Sequence, residues 1–111
     1  NASIESLQEC TSVIFQSGEM AHIGHSAQRG VITDFAARNG FKIIRETSEW
    51  HNLNHYPTLM DIVDRDQHMP LLIFSEKSFN MDSCAWSDLK KSLMVHQAPI
   101  YFCLENKKFA P

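Results

Sequence analysis

Residues 26–45 read SAQRGVITDFAARNGFKIIR, and this stretch decides the fold. Ile32, Phe35 and Ala36 recur at the spacing that lines one face of an α-helix. Gly40 predicts the end of that helix, because glycine adopts the left-handed conformation of a C-terminal cap without a Cβ clash. The stretch therefore predicts an amphipathic helix with a defined C-terminus.

The residues after Gly40 predict a strand. Phe41 is placed to fold back onto the helix at Phe35 or Ala36, the apolar contact that accompanies such caps. The β-branched pair Ile43-Ile44 then forms a short apolar run. Helix, glycine and strand make half of a βαβ unit, so a strand must precede the helix.

The same alternation recurs along the chain. Apolar runs predict strands, and cap signals with helical spacing predict helices. The predicted strands are 12–15, 43–45, 71–74 and 100–104, and the predicted helices lie near 27–39, 58–66 and 83–96. Short connections and right-handed crossovers make this a three-layer α/β/α fold with a mostly parallel four-stranded sheet.

Size and composition are those of one globular domain. The chain has 111 residues, of which 43% are hydrophobic and 21% charged. Residues 1–11 read as an N-terminal extension, with Asn1-Ala2 as a tag remnant, and 105–111 as a polar exit. No apolar run is long enough to span a membrane. Three widely spaced cysteines favour a reduced, cytoplasmic setting.

The net charge of −3 argues against a stand-alone nucleic-acid-binding domain, which normally carries a basic stripe. It leaves open a module whose partner domain binds DNA. We therefore expect contact with DNA to be indirect or through another domain.

Two histidine pairs have the spacing of metal ligands, His22 with His25 and His51 with His55. The alternative is four solvated loop histidines, and the lack of a cysteine pair or HExxH motif favours it. The loop 16–25 holds two glycines but neither a GxGxxG nor a GxxxxGK[ST] motif. We predict no metal and no cofactor.

The three cysteines are not predicted to be nucleophiles. Cys103 falls within a predicted strand, and Cys84 falls in the first turn of a predicted helix. Both read as small apolar fillers.

Residues 47–57 form the least regular stretch of the chain. Trp50, His51 and Tyr56 stand there without helical or strand spacing, and aromatic and hydrogen-bonding side chains are typical of binding loops. We predict these three as binding residues, with Trp50 as the main anchor.

A second candidate surface lies on the third predicted helix. Trp86, Leu89 and Leu93 share one face and are assigned to the core. Met94 and Val95 fall off that face, so they predict an exposed apolar patch.

The order of motifs resembles the N-terminal catalytic domain of the serine recombinases, the resolvase/invertase family. The resemblance covers roughly Val13 to Glu105 and rests on pattern and spacing. The motifs that carry it are Gln28 at the helix start, residues 39–41, 43–46, 59–63, 71–74 and 93–102. It implies a resolvase-like fold that works in dimers and tetramers.

The family's catalytic residues do not carry over to this chain. The family attacks a DNA phosphate with a serine after the first strand and holds the phosphate with arginines. Here Ser17 stands where the resemblance places an arginine, and Glu19 where it places the serine. Lys77, Ser78 and Met81 lie where the second arginine motif belongs, so that motif's guanidinium groups are absent.

The sequence therefore predicts a catalytically inactive resolvase-like domain. It would serve as a regulatory or oligomerisation module, as a homodimer or with a protein partner, linked to DNA recombination or DNA-binding machinery. Two alternatives stay open. One is a divergent active recombinase that uses Ser17. The other is a flavodoxin-like domain that binds a small molecule at the carboxyl ends of its strands.

Overall fold

The structure, a computed structural model, describes residues 6–16, 22–51 and 54–110. In chain order the elements are β1 Gln8–Phe15, α1 His25–Arg38, β2 Phe41–Glu49, α2 Pro57–Arg65, β3 Leu71–Ile73, a 3-10 turn Glu76–Ser78, α3 Cys84–His96, β4 Ile100–Phe102 and β5 Lys107–Phe109.

The strands form one sheet in the order β2-β1-β3-β4-β5. β2, β1, β3 and β4 run parallel to one another, and β5 runs antiparallel to β4. The predicted α/β fold with a mostly parallel sheet is confirmed. The sheet gains a fifth strand where a polar exit was predicted, because Asn106, with φ of 55°, turns the chain back onto β4. Two lysines suit this short edge strand, since charge discourages pairing with other chains.

Helices cover both faces of the sheet. α1 packs on one face through Ile32, Phe35 and Ala36, and α2 and α3 pack on the other. The local predictions for the first helix are confirmed: Gly40 has φ of 73°, and the Phe41 ring stacks on Phe35 with centroids 6.3 Å apart. The Trp86, Leu89 and Leu93 face is buried, as predicted.

An aromatic cluster joins the α2/α3 face to the end of β3. Phe79, just after the 3-10 turn, has its ring centroid 5.2 Å from both Phe15 and Tyr56 and 4.9 Å from Trp86. The loop that follows β3 thus supplies a central core residue.

A β-bulge interrupts the pairing of β1 with β2. Cys10 pairs with Ile43, whereas the next residue, Thr11, pairs with Arg45, so Ile44 is the extra residue. A bulge re-aims the residues that follow it. Before the bulge, Ile43 faces α1; after it, Arg45 reaches an ion pair with Asp66 at the end of α2.

Two predicted boundaries are wrong. Residues 8–11 belong to β1 rather than to an extension, because they pair with the start of β2. β2 continues to Glu49 and takes the first residues of the predicted loop 47–57. As an edge strand paired only with β1, it tolerates the charged residues that hid it in the sequence.

Candidate functional site

The loops that follow the parallel strands meet at the carboxyl edge of the sheet, where ligands bind in open α/β folds. The predicted site residues Trp50, His51, Tyr56, Lys77, Ser78 and Met81 all lie on these loops. Ser17 and Glu19 lie outside the described residues. The polar side chains at this edge are therefore the candidates for chemistry.

Gln28 is used to close the end of β1. Its side chain is fully buried, and its amide accepts a bond from the Phe15 N–H at 3.1 Å. The same amide donates to the carbonyl oxygens of Phe15 and Ile23 at 3.1 and 3.0 Å. α1 is thereby held to Phe15, the last residue of β1. The glutamine that the resemblance places at the helix start is a structural residue here.

Replacing Gln28 with leucine should lower the free energy of unfolding by about 2 kcal/mol or more, because unpaired buried polar groups cost roughly 1–3 kcal/mol each. Leucine preserves most of the volume but leaves the Phe15 and Ile23 groups without this partner. Urea titration followed by circular dichroism measures the change. Gln67→Leu, at an exposed glutamine, is the matched control, and equal stability of the two variants would contradict the role of Gln28.

Glu49, the last residue of β2, is used to cap α2. Its buried carboxylate accepts the backbone N–H of Leu59 at 2.8 Å and that of Trp50 at 3.1 Å. α2 begins at Pro57, and Tyr56 at the cap position makes no side-chain capping bond. The sequence missed Glu49 because the capping carboxylate comes from a strand and not from the residues just before the helix.

Glu105 is the second carboxylate at this edge, and it joins two loops. It accepts the Ser75 hydroxyl at 2.5 Å and the Glu76 backbone N–H at 2.9 Å. Lys107 extends the group with a 3.2 Å ion pair to Glu76. These carboxylates are therefore engaged in holding loops, not presented to a substrate.

Tyr56, predicted as a binding residue, lies in the core. Burial raises the pKa of its hydroxyl, which lies near Asn80 and Ser83 without meeting hydrogen-bond geometry to a described residue. Its ring packs on Phe79 within the aromatic cluster. Tyr56 positions the loop instead of contacting a partner.

His51 and Ser78 are brought together, but through the backbone. The Nδ1 atom of His51 lies 3.2 Å from the Ser78 carbonyl oxygen, so this nitrogen carries the proton in the bond. The Ser78 hydroxyl is buried with no hydrogen-bond partner among the described residues. This pairing fixes the 50–51 segment against the 3-10 turn.

The four arginines of the chain all face carboxylates. Arg29 makes a bidentate pair with Glu46 at 2.7 and 2.9 Å, which holds the pKa of that carboxyl below its usual range. The remaining pairs are Arg38 with Asp34, Arg45 with Asp66 and Arg65 with Asp61. Every arginine of the chain therefore has a carboxylate partner.

Neither metal chemistry nor thiol chemistry is assembled in the described part of the chain. No three His, Cys, Asp or Glu side chains there are grouped to hold an ion. Burial raises the pKa of Cys10 to about 11 and that of Cys103 to about 12. Cys84 is exposed, so its prediction as an apolar filler is wrong: it lies in the first turn of α3 on the solvent side.

Trp50 is the one predicted binding residue whose side chain is open to a partner. Its indole is 61% exposed at the end of β2, beside the capped start of α2. On the same strand Ile44, the bulge residue, is 40% exposed. We define the outer edge of β2 together with Trp50 as the β2 surface.

A second apolar surface lies on α3. Met94 and Val95 are exposed, as predicted. Met94 also lines an open cavity of about 540 Å³ with Gln97, Pro99, Lys108 and Ala110. Because Pro99 precedes β4, this cavity lies at the amino end of that strand, away from the loops described above.

Across residues 6–16, 22–51 and 54–110, no helix has the length and apolar character needed to cross a bilayer. Compared with family models, with curated proteins and with solved structures, the chain finds no match.

Proposed function

We propose that this chain is a non-catalytic protein-interaction domain that binds through the β2 surface. The observation that carries the proposal is the exposed indole of Trp50 at the end of an edge strand. Tryptophan is among the residues that most often dominate interface energies, because it buries a large rigid area.

The polar groups at the carboxyl edge argue against an enzyme. Glu49, Glu105 and Gln28 are committed to hydrogen bonds that hold a helix, two loops and a strand end. Phosphoryl transfer by a serine recombinase would need guanidinium groups aimed at the phosphate. Ser78, at one of those positions, is buried in the loop.

The resemblance to serine recombinases supports the same function. In that family the domain acts in dimers and tetramers, and a domain that has lost its catalytic residues retains the fold that assembles. We therefore propose a resolvase-like regulatory or oligomerisation module, connected to DNA only through a partner or another domain. The inference from the resemblance to this role is an analogy at the level of the fold.

Sedimentation velocity tests the association. We expect the chain to associate with a Kd in the micromolar range, roughly −8 kcal/mol at standard state. Trp50→Ala should weaken this association while leaving the melting temperature nearly unchanged, because the indole is mostly in solvent. Val95→Ala, on the exposed part of α3, is the matched control. A monomer at all concentrations and with candidate partners would contradict the proposal.

Incubation with supercoiled plasmid tests the absence of catalysis. Neither nicked DNA nor a covalent protein–DNA adduct is expected, since residues 77–81 supply no guanidinium group to stabilise the transition state. An adduct mapped to Ser17 would instead establish a divergent recombinase.

A further inference from the structure

We propose that the partner of the β2 surface is a second copy of this chain, and that the two β2 strands pair antiparallel about Thr47. This inference rests on the proposed interaction function and specifies its occupant. In the described chain β2 pairs only with β1, so its other edge presents unpaired backbone groups. Strand addition to such an edge is a common mode of recognition.

The direction of the backbone groups follows from one hydrogen bond. The Glu49 carbonyl accepts the Gln16 N–H at 2.8 Å and therefore points towards β1. Because backbone groups alternate in direction along a strand, those of Thr47 also point inward. The N–H and C=O groups of Glu46 and Ser48 consequently point out of the sheet edge.

Two-fold symmetry restricts the pairing. An axis between antiparallel copies makes one residue of the strand face its own counterpart. When that residue is Thr47, Glu46 of each copy lies opposite Ser48 of the other. The two residues then exchange both N–H···O bonds, and every outward group of Glu46 and Ser48 is satisfied.

The neighbouring registers are less favourable. Centring the pairing on Arg45 or Glu46 places like charges directly opposite each other, which is destabilising. Centring it on Ser48 places Glu46 opposite Trp50. The backbone N–H of Trp50 already donates to the Glu49 carboxylate, so it is not free to pair with Glu46 of the other copy. About Thr47, by contrast, threonine faces threonine and Arg45 lies across from Glu49, without like-charge pairs.

This register also brings the exposed apolar side chains of β2 together. Three residues from the axis on either side, Trp50 of one copy lies beside Ile44 of the other. These side chains are 61% and 40% exposed in the single chain. Their mutual burial gives the backbone pairing an apolar contact at each end.

Disulfide trapping tests the register. In a two-fold antiparallel pair, the central non-hydrogen-bonded residues have Cα atoms about 4.5 Å apart, within the range that a disulfide spans. The test variant is Thr47→Cys in a Cys84→Ser background, which removes the exposed thiol. Under mild oxidation we expect it to form a covalent dimer on a non-reducing gel. Ser48→Cys in the same background faces Glu46 and should stay monomeric.

The outcomes separate the two proposals. Equal cross-linking of the two cysteine variants would overturn the Thr47 register. No cross-linking of Thr47→Cys, with Trp50-dependent association of the parent chain intact, would overturn β2 pairing and leave the interaction function standing. If Thr47→Cys does not cross-link and the parent chain shows no Trp50-dependent association, both the β2 pairing and the interaction function are overturned. Thermal melting of each variant confirms that it is folded before it is scored.

Discussion

Replacing Phe79 with alanine should lower the free energy of unfolding by about 3–5 kcal/mol, as for other buried aromatic residues. The Phe79 ring lies 4.9 to 5.2 Å, centroid to centroid, from Trp86, Phe15 and Tyr56. Three neighbours from three different elements would lose their contact at once, because their backbones hold them apart around the resulting cavity. A loss of this size is a large fraction of the stability of a typical domain, about 5–15 kcal/mol.

Equilibrium unfolding in urea, followed by far-UV circular dichroism, measures the Phe79→Ala effect. Met81→Ala, two residues along the same loop and 41% exposed, should change stability by less than about 0.5 kcal/mol. If Phe79→Ala were as mild as Met81→Ala, the loop would not contribute to the core.

Replacing Glu49 with alanine should lower the free energy of unfolding by about 2–4 kcal/mol, the combined loss of a helix cap and of a buried hydrogen bond. The Glu49 carboxylate accepts the Leu59 N–H at the start of α2, and alanine offers no acceptor there. The backbone N–H of Trp50 would lose its acceptor as well.

The matched control is Ile44→Ala, an alanine substitution on the same strand that removes no hydrogen bond. Because Ile44 is 40% exposed, this substitution should cost less than about 1 kcal/mol. Thermal and urea unfolding of both variants measure the two effects. If Glu49→Ala is no more harmful than Ile44→Ala, the Glu49 cap is dispensable.

Local signals made much of the fold predictable. Gly40 and Phe41 predicted the end of α1, and cap signals predicted the start of α3, where the Ser83 hydroxyl accepts the Trp86 N–H. In both cases the residues that interact lie within a few positions of each other. A short stretch of sequence therefore includes both partners of the interaction, and the interaction can be predicted from it.

Features that depend on distant residues were not predictable. Gln28 bonds to Phe15, and Glu105 to Ser75, across 13 and 30 positions respectively. β5 was missed because its partner, β4, and not its own composition, makes it a strand. No short stretch of sequence includes both partners of these hydrogen bonds or of this strand pair.

The candidate site shows the same limit. Trp50 and Tyr56 are aromatic residues in one irregular stretch, yet the first is exposed and the second fully buried. Tyr56 is buried because Phe15 and Phe79, from two other elements, enclose its ring. Composition could identify the loop but not which of its aromatics would reach solvent.

The two tryptophans also give the chain two separate fluorescence reporters. Trp86 is 6% exposed and packs edge-on to Phe109, whereas Trp50 stands in solvent. Emission from Trp86 should be blue-shifted and should move to longer wavelength only when the core unfolds. Emission from Trp50 should be red-shifted, open to quenching by iodide, and protected when a partner covers it. A Trp50→Phe variant would isolate the folding signal, and its difference from the parent spectrum would follow binding alone.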